Sequence, residues 1–190
     1  MIIRVSARRA RGCCSRKAMK SSLPMTWTTT GDRAINVADR RVWLSTPYFV
    51  PTTAALYALT SAAMRGLDTR VMIPKKSDSK LVDLAARSYF DPLLKAGVRI
   101  FEYQPRMLHT KALLVDDAFA ILGSANFDNR SFTTNFEMSM AVHEQHIARE
   151  LEAVWHEDQA ASVEIAKKRP REPFPVRLGQ AIARLGAPLL

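Results

Sequence analysis

Short apolar runs, most of them bounded by proline or glycine, alternate along this chain with stretches whose apolar residues recur every three or four positions. Residues 41–46 read as a strand stopped by Pro47, followed by a loop over 48–51. Thr52 or Thr53 can cap a helix that carries Leu56, Leu59 and Ala63 on one face and ends near Arg65, before Gly66. A strand over 70–73 ends at Pro74, a helix capped by Ser77 or Ser79 runs past Leu81, Leu84 and Leu94 to Gly97, and 98–103 is a third strand. Residues 112–115 form an apolar run fit for a buried strand, and a turn at Asp116 and Asp117 leads into 119–122 as its hairpin partner. A polar loop over 123–132, an alternating strand over 135–142 and a helix over 144–162 complete the pattern. A short helix is expected over 32–39. Strands alternating with helices across short connections predict an α/β domain over 31–165, with a mainly parallel or mixed sheet flanked by helices.

The termini read differently. Residues 1–30 lack periodicity and caps and form a basic, poorly ordered lead-in. Residues 166–190 form a basic, proline-interrupted linker and a short amphipathic tail, in which Leu178, Ala181, Ile182, Leu185 and Leu189 fall near one helical face flanked by Arg177 and Arg184. Such a helix can dock on its own domain or a partner, or lie on a membrane surface. Gly179 and Gly186 weaken the helix in either case.

One motif does not reduce to packing. His109 and Lys111 precede the apolar strand, Asp116 follows it, and Gly123, Ser124 and Asn126 come shortly after. His-x-Lys-x4-Asp alone arises by chance in about one chain in a hundred, but the added Gly-Ser-x-Asn makes coincidence remote. The side-chain period of two puts His109 and Lys111 on one face, so a single phosphate can touch both, and puts Asp116 on the other. A neutral imidazole can attack a phosphodiester and then leave from phosphorus, through a phosphohistidine. Charge developing on the phosphoryl oxygens calls for preorganised donors, a role that suits Lys111, Ser124 and Asn126. Asp116, facing away, reads as a structural hydrogen-bonding residue rather than a base, and the chemistry requires no metal.

Charge refines this picture. Of a net +10, residues 1–20 hold seven Lys/Arg and no acid, residues 167–190 hold six against Glu172, and the body between has 15 basic and 17 acidic residues. The tails are basic and the body is near neutral, which suits anionic lipid headgroups or a nucleic-acid backbone about equally. Cys13 and Cys14, adjacent in the lead-in, offer neither a disulfide framework nor a four-ligand metal site. No apolar run reaches the roughly 18–20 residues needed to cross a bilayer.

The stretch from His109 to Asp116 resembles the His-x-Lys-x4-Asp (HKD) motif of the phospholipase D superfamily. Residues 40–145 are similar to the C-terminal half of a bacterial cardiolipin synthase, through Thr46-Pro47-Tyr48-Phe49-Val50-Pro51, Asp78, Arg87-Ser88-Tyr89, Gly123 to Phe132, and Asn135-Phe136-Glu137. The resemblance implies a phospholipase D-like half-domain that transfers a phosphatidyl group through a phosphohistidine, making cardiolipin, or hydrolysing phospholipid when water is the acceptor. His109 would be nucleophile or general acid, and Lys111, Ser124 and Asn126 would hold phosphate. Glu137 would hydrogen-bond the imidazole, and Asp116 would complete the motif. No cofactor is implied. The implied partners are an anionic phospholipid and a membrane surface, with nucleic acid ranked below them, and the implied location is the cytoplasmic side of a bacterial cell membrane, held peripherally.

The family mechanism needs two facing motifs, one histidine attacking and the other protonating the leaving oxygen. This chain has one, because no other histidine is followed by lysine two positions on. His143, His146 and His156 read as surface or packing histidines. The expectation is therefore a homodimer pairing two copies of His109, or half of a larger enzyme. The alternatives are a single-motif nuclease acting as a dimer, and an inactive truncated fragment.

Overall fold

The structure is a computed structural model and describes residues 27–167 and 172–186. Helix α1 (Trp27–Asn36) leads to β1 (Arg41–Ser45), the short β2 (Phe49–Val50), α2 (Thr53–Met64) and β3 (Asp68–Pro74). There follow α3 (Lys80–Ser88), α4 (Phe90–Ala96), β4 (Arg99–Tyr103), β5 (Ala112–Val115) and β6 (Phe119–Gly123). The chain continues through β7 (Phe127–Asp128), α5 (Asn129–Thr133), β8 (Ser139–His143), α6 (Gln145–Ala160), β9 (Ser162–Glu164) and α7 (Phe174–Leu185).

Capping chemistry sets the helix ends where the sequence signals them. The Thr52 hydroxyl accepts the amide of Ala55 at 3.2 Å, the Ser79 hydroxyl accepts that of Val82 at 3.4 Å, and Gly97 closes α4 at φ 101. The single helix expected from Ser79 to Gly97 is two. Pro92 has no amide for the carbonyl of Ser88 and crowds it, so the first helix stops at Ser88 and a second begins at Phe90. Helix α1 starts at Trp27, inside the stretch expected to be an unstructured lead-in, and the rest of that lead-in lies outside the described residues.

Seven strands form one mixed sheet in the order β8-β6-β5-β1-β3-β4-β9. The β1, β3 and β4 strands at its centre are parallel, joined by crossovers through α2 and through α3 and α4. Antiparallel strands flank them on both sides, because β5, β6 and β8 follow one another by hairpin or short return and β9 comes back along β4. The loops expected at 48–51 and 123–132 each contain two strand residues: Phe49 and Val50 pair parallel with Phe127 and Asp128. This small second sheet fastens the turn after β1 to the loop after β6.

Both faces of the sheet are covered. On one, Leu44, Val71, Ile100 and Leu113 pack with α2, α3 and α4 around Leu59, Phe90 and Leu93, and Ala183 of α7 joins this core. The expected linker-and-tail segment thus contributes a packed helix. On the other face Trp43, Met72, Phe101 and Leu114 meet Trp155 of α6. The guanidiniums of Arg41 and Arg70 lie 4.5 and 4.3 Å from the Trp43 ring, whose Nε1 donates to Asp68 at 3.1 Å. Arg41 in turn holds Glu152 of α6 through both terminal guanidinium nitrogens.

Trp155, 2% exposed and 5.6 Å from Trp43, is the main contact of α6 with the sheet. Replacing it with alanine is expected to lower stability by about 3–5 kcal/mol in denaturant unfolding, whereas Tyr57→Ala at the exposed face of α2 is expected to stay within about 0.5 kcal/mol.

Candidate active site

The ordering of β5 against its neighbours brings the sequence motif together. Ala112 pairs with Ser45 on one side and Leu122 on the other, so residues 109–111 leave the sheet at the end where β1, β3 and β4 finish. Gly123 pairs with Ser139, and there a β-carbon would stand 2.8 Å from Cα of Ser139. Only glycine lets the two strands come this close. The approach places Ser124 against the chain at Met138, whose carbonyl accepts the Ser124 amide at 2.9 Å and whose amide donates to the Ser124 hydroxyl at 3.0 Å.

His109 and Lys111 meet as their spacing predicts. The Lys111 ammonium lies 3.3 Å from Nε2 and 3.5 Å from Nδ1 of His109, and donates to the His109 carbonyl at 3.2 Å. Burial pushes the Lys111 ammonium below the usual lysine range, against the pull of the carboxylates of Glu137 and Asp128. His109 itself is exposed.

Glu137 is held by its own loop. Its carboxylate accepts a short hydrogen bond from the Ser124 hydroxyl, one from Ser131 Oγ at 3.1 Å and one from Asn135 Nδ2 at 3.3 Å, rather than one from the His109 ring. The physical reason is competition: a carboxylate surrounded by three neutral donors on its own loop is satisfied locally. Ser124 is tied up by the same contact, since its hydroxyl proton points to Glu137. Asn126 donates its backbone amide to Ser131 at 3.1 Å, and its side chain hydrogen-bonds Asp128, while its Oδ1 is buried with no partner. Burial raises the Asp128 carboxyl above the usual range, and the Ser131 amide, at 2.7 Å, opposes that rise.

Asp116 is not brought to this cluster. It sits beyond the far end of β5 in the left-handed region, φ 51, and its carboxylate accepts the backbone amides of Asp39 at 3.2 Å, Arg40 at 2.8 Å and Arg41 at 3.1 Å. Its place is structural: it ties the hairpin turn to the start of β1. Sequence reading singled out neither Thr46 nor the bridging part of Ser131. Thr46 Oγ1 accepts the Phe127 amide at 3.0 Å and donates to the Tyr48 carbonyl at 2.8 Å. Ser131 links Asn126, Asp128 and Glu137. The Asx-type pattern of Asp128 three residues before Ser131 was the available signal. At the rim the Tyr48 hydroxyl donates to Asp78, which pushes the phenol up to about 12.

The other histidines stand apart from this cluster: His143 is beside Phe119, His146 is 3.9 Å from Glu144, and His156 is against Trp43. Among the described residues no group of three His, Cys, Asp or Glu is placed to hold a metal. A recess of about 450 Å³ lined by Val50, Thr52, Leu56, Tyr89, Asn129 and Arg184 includes none of the motif residues. His109 is exposed and Lys111 half-buried. Phe136, Met138 and Met140 stand 107%, 81% and 60% exposed on the edge next to Glu137.

Three kinds of likeness follow the geometry. A family profile described as "Cardiolipin synthase, PLD-like domain" matches residues 32–159. Cardiolipin synthase A of Pseudomonas putida is 42% identical over 158 residues, and that of Pseudomonas aeruginosa is 43% identical over 157. These matches take in 83% and 82% of this chain but only 33% and 32% of the relatives, so the chain spans about one third of their length. Among solved structures, the phospholipase D family member Nuc from Salmonella typhimurium aligns with TM-score 0.63 at 20% identity, covering 70% of this chain and 87% of Nuc. Phosphatidylserine synthase from Haemophilus influenzae aligns with TM-score 0.64 at 14% identity, covering 84% of this chain and 44% of that one. At these identities the structures establish the fold.

Asp116 provides a test by pH. Burial opposes its ionisation, but the amides of Arg41, Arg40 and Asp39 outweigh this and hold the carboxyl below the usual aspartate range. A folded-state pKa below the unfolded one contributes stability above the unfolded value, about 3.9, and loses it as pH falls through the folded value. Asp116→Ala is expected to cost about 1–2 kcal/mol at neutral pH, since the group is only partly buried. That cost is expected to shrink on acidification below about pH 4 in parallel denaturation curves.

Proposed function

The chain belongs to the phospholipase D-like family, in the cardiolipin synthase group, and from that premise we propose that it carries one half of a site for phosphatidyl transfer between phospholipids. The observation that carries this reading is the pairing of His109 with Lys111 at 3.3 Å, at the end of the sheet where the parallel strands finish. Lysine has donors only, and a neutral imidazole carries a lone pair on one ring nitrogen, the one able to attack phosphorus. A phosphate entering between the two takes the ammonium as counter-ion and the imidazole as nucleophile.

The chemistry runs in two displacements. A nitrogen of His109 attacks phosphorus, the bond to the leaving alcohol breaks, and that oxygen takes a proton from an acid on the opposite side. The hydroxyl of a second lipid then attacks the phosphohistidine, gives its proton to that same group and frees His109. Lys111 offsets the charge on the non-bridging oxygens in both transition states. Glu137 acts through Ser124 and Ser131, holding the 124–131 loop in place. A phosphate that needs the Ser124 hydroxyl must draw its proton away from Glu137.

Among the described residues no second histidine faces His109 to act as that acid, since His143, His146 and His156 stand apart from the cluster. A second motif, in a longer form of the protein or in a second copy of this chain, would supply it. The exposed edge at Phe136, Met138 and Met140, beside the site, is the surface on which we place that second half. The substrate reading is an anionic phospholipid, with cardiolipin formed when the acceptor is the glycerol headgroup of another, at the membrane of a bacterial cell.

The test is turnover of labelled phosphatidylglycerol together with acid-labile phosphate trapped on the protein. His109→Ala is expected to abolish the trapped phosphate and to lower turnover by roughly 10⁴-fold or more. Unchanged turnover in that variant removes the proposed nucleophile. Cleavage of an oligonucleotide with phospholipid untouched overturns the lipid assignment in favour of a nuclease. A monomer that turns over neither identifies an inactive fragment.

A further inference from the structure

Helix α7 lies outside the matched family span and docks in an unusual sense. At 100° per residue, Phe174, Leu178, Ile182 and Leu185 fall within one arc of about 80°. Gln180 and Ala183, on the opposite side, are the buried residues. Ala183 joins the core, the helix packs along α3, and the Arg184 guanidinium covers the Tyr89 ring at 4.6 Å. The helix is thus held to the domain by its small and polar side. Its apolar side faces out, with Phe174 72%, Leu178 48%, Ile182 60% and Leu185 82% exposed. Leu81, on the neighbouring α3, is 48% exposed as well.

Charge identifies what meets this face. Arg177 and Arg184 lie on one flank of the stripe, and residues 167–190 hold six Lys/Arg against the single acid Glu172. An apolar stripe bordered by cations fits the boundary between the acyl chains and the headgroups of an anionic bilayer, where arginine keeps its charge among phosphates while its stem lies along apolar surface. A protein partner would have to match the stripe with an acidic rim of its own, whereas an anionic bilayer presents that rim wherever the helix lands.

We propose that α7 is a membrane-surface helix that seats the domain on anionic phospholipid through Phe174, Leu178, Ile182 and Leu185. The proposal rests on the phospholipid reading for its biological sense, but its test measures binding without turnover, so the two fail separately. The full chain is floated with vesicles of phosphatidylglycerol or of phosphatidylcholine, and bound complexes are then washed at about 1 M salt, where screening over about 3 Å removes purely ionic attachment, including that of the basic lead-in.

Wild type is expected to favour phosphatidylglycerol vesicles and to stay on them through the salt wash. Leu178→Glu/Ile182→Glu, at exposed positions that leave the thermal melt unchanged, is expected to retain about one tenth of that binding or less. His109→Ala is expected to bind like wild type. Equal salt-resistant binding by wild type and the double variant overturns the proposal, as does failure of wild type to bind. A wild-type oligomer that the double variant dissociates, with no vesicle binding by either, assigns the stripe to a protein interface and also overturns it.

Discussion

Gly123 sits where β6 and β8 converge, and a β-carbon there would overlap the chain at Ser139. Because none is present, β8 closes on the end of β6, and the amide and hydroxyl of Ser124 both bond the backbone of Met138. That contact brings Glu137 to Ser124 and Ser131, and so carries the whole 124–131 loop into its place beside Lys111. A single close approach between backbones thus decides whether three segments, separate along the chain, form one cluster. The small sheet of β2 and β7 secures the loop from its other side, with Thr46 accepting the Phe127 amide.

The rest of the fold holds that end of the sheet still. Three parallel strands end where the motif begins, covered on one face by α2, α3 and α4 and on the other by α6. Trp43 is the meeting point on the α6 side, in contact with two arginines that also hold Asp68 and Glu152. Asp116 works at the opposite end of β5 from His109, fixing the hairpin turn to the first residues of β1. Two members of one sequence motif therefore stand at opposite ends of the strand, His109 beside Lys111 and Asp116 in the scaffold that fixes the hairpin turn.

The surface carries an asymmetry that a self-sufficient domain does not need. Among the exposed apolar side chains, one group lies along the edge beside the candidate site and another along α7. The first borders the pairing of His109 with Lys111, and the second is flanked by Arg177 and Arg184. Burying apolar area is the main favourable contribution available to a fold, and a domain that leaves this much of it uncovered has a use for it elsewhere.

Much of this was legible in the order of residues alone. Proline and glycine mark the strand and helix ends, Thr52 and Ser79 announce their caps, and the period of two joins His109 to Lys111, because these signals are local and need only neighbouring residues to act. What was not legible depends on segments far apart in the chain. The partner of Glu137 was decided by three donors assembled around it, and the break at Tyr89 followed from Pro92 in a stretch whose apolar spacing reads as continuous. The antiparallel strand β9 and the two-residue strands at Phe49 and Phe127 have no period to read, since they form only where another backbone offers free carbonyls and amides. The sequence of α7 marked its apolar face, but only tertiary packing decided that this face points away from the core, because α3 presents a surface that the small side of the helix fits and leaves the large side chains without an internal partner.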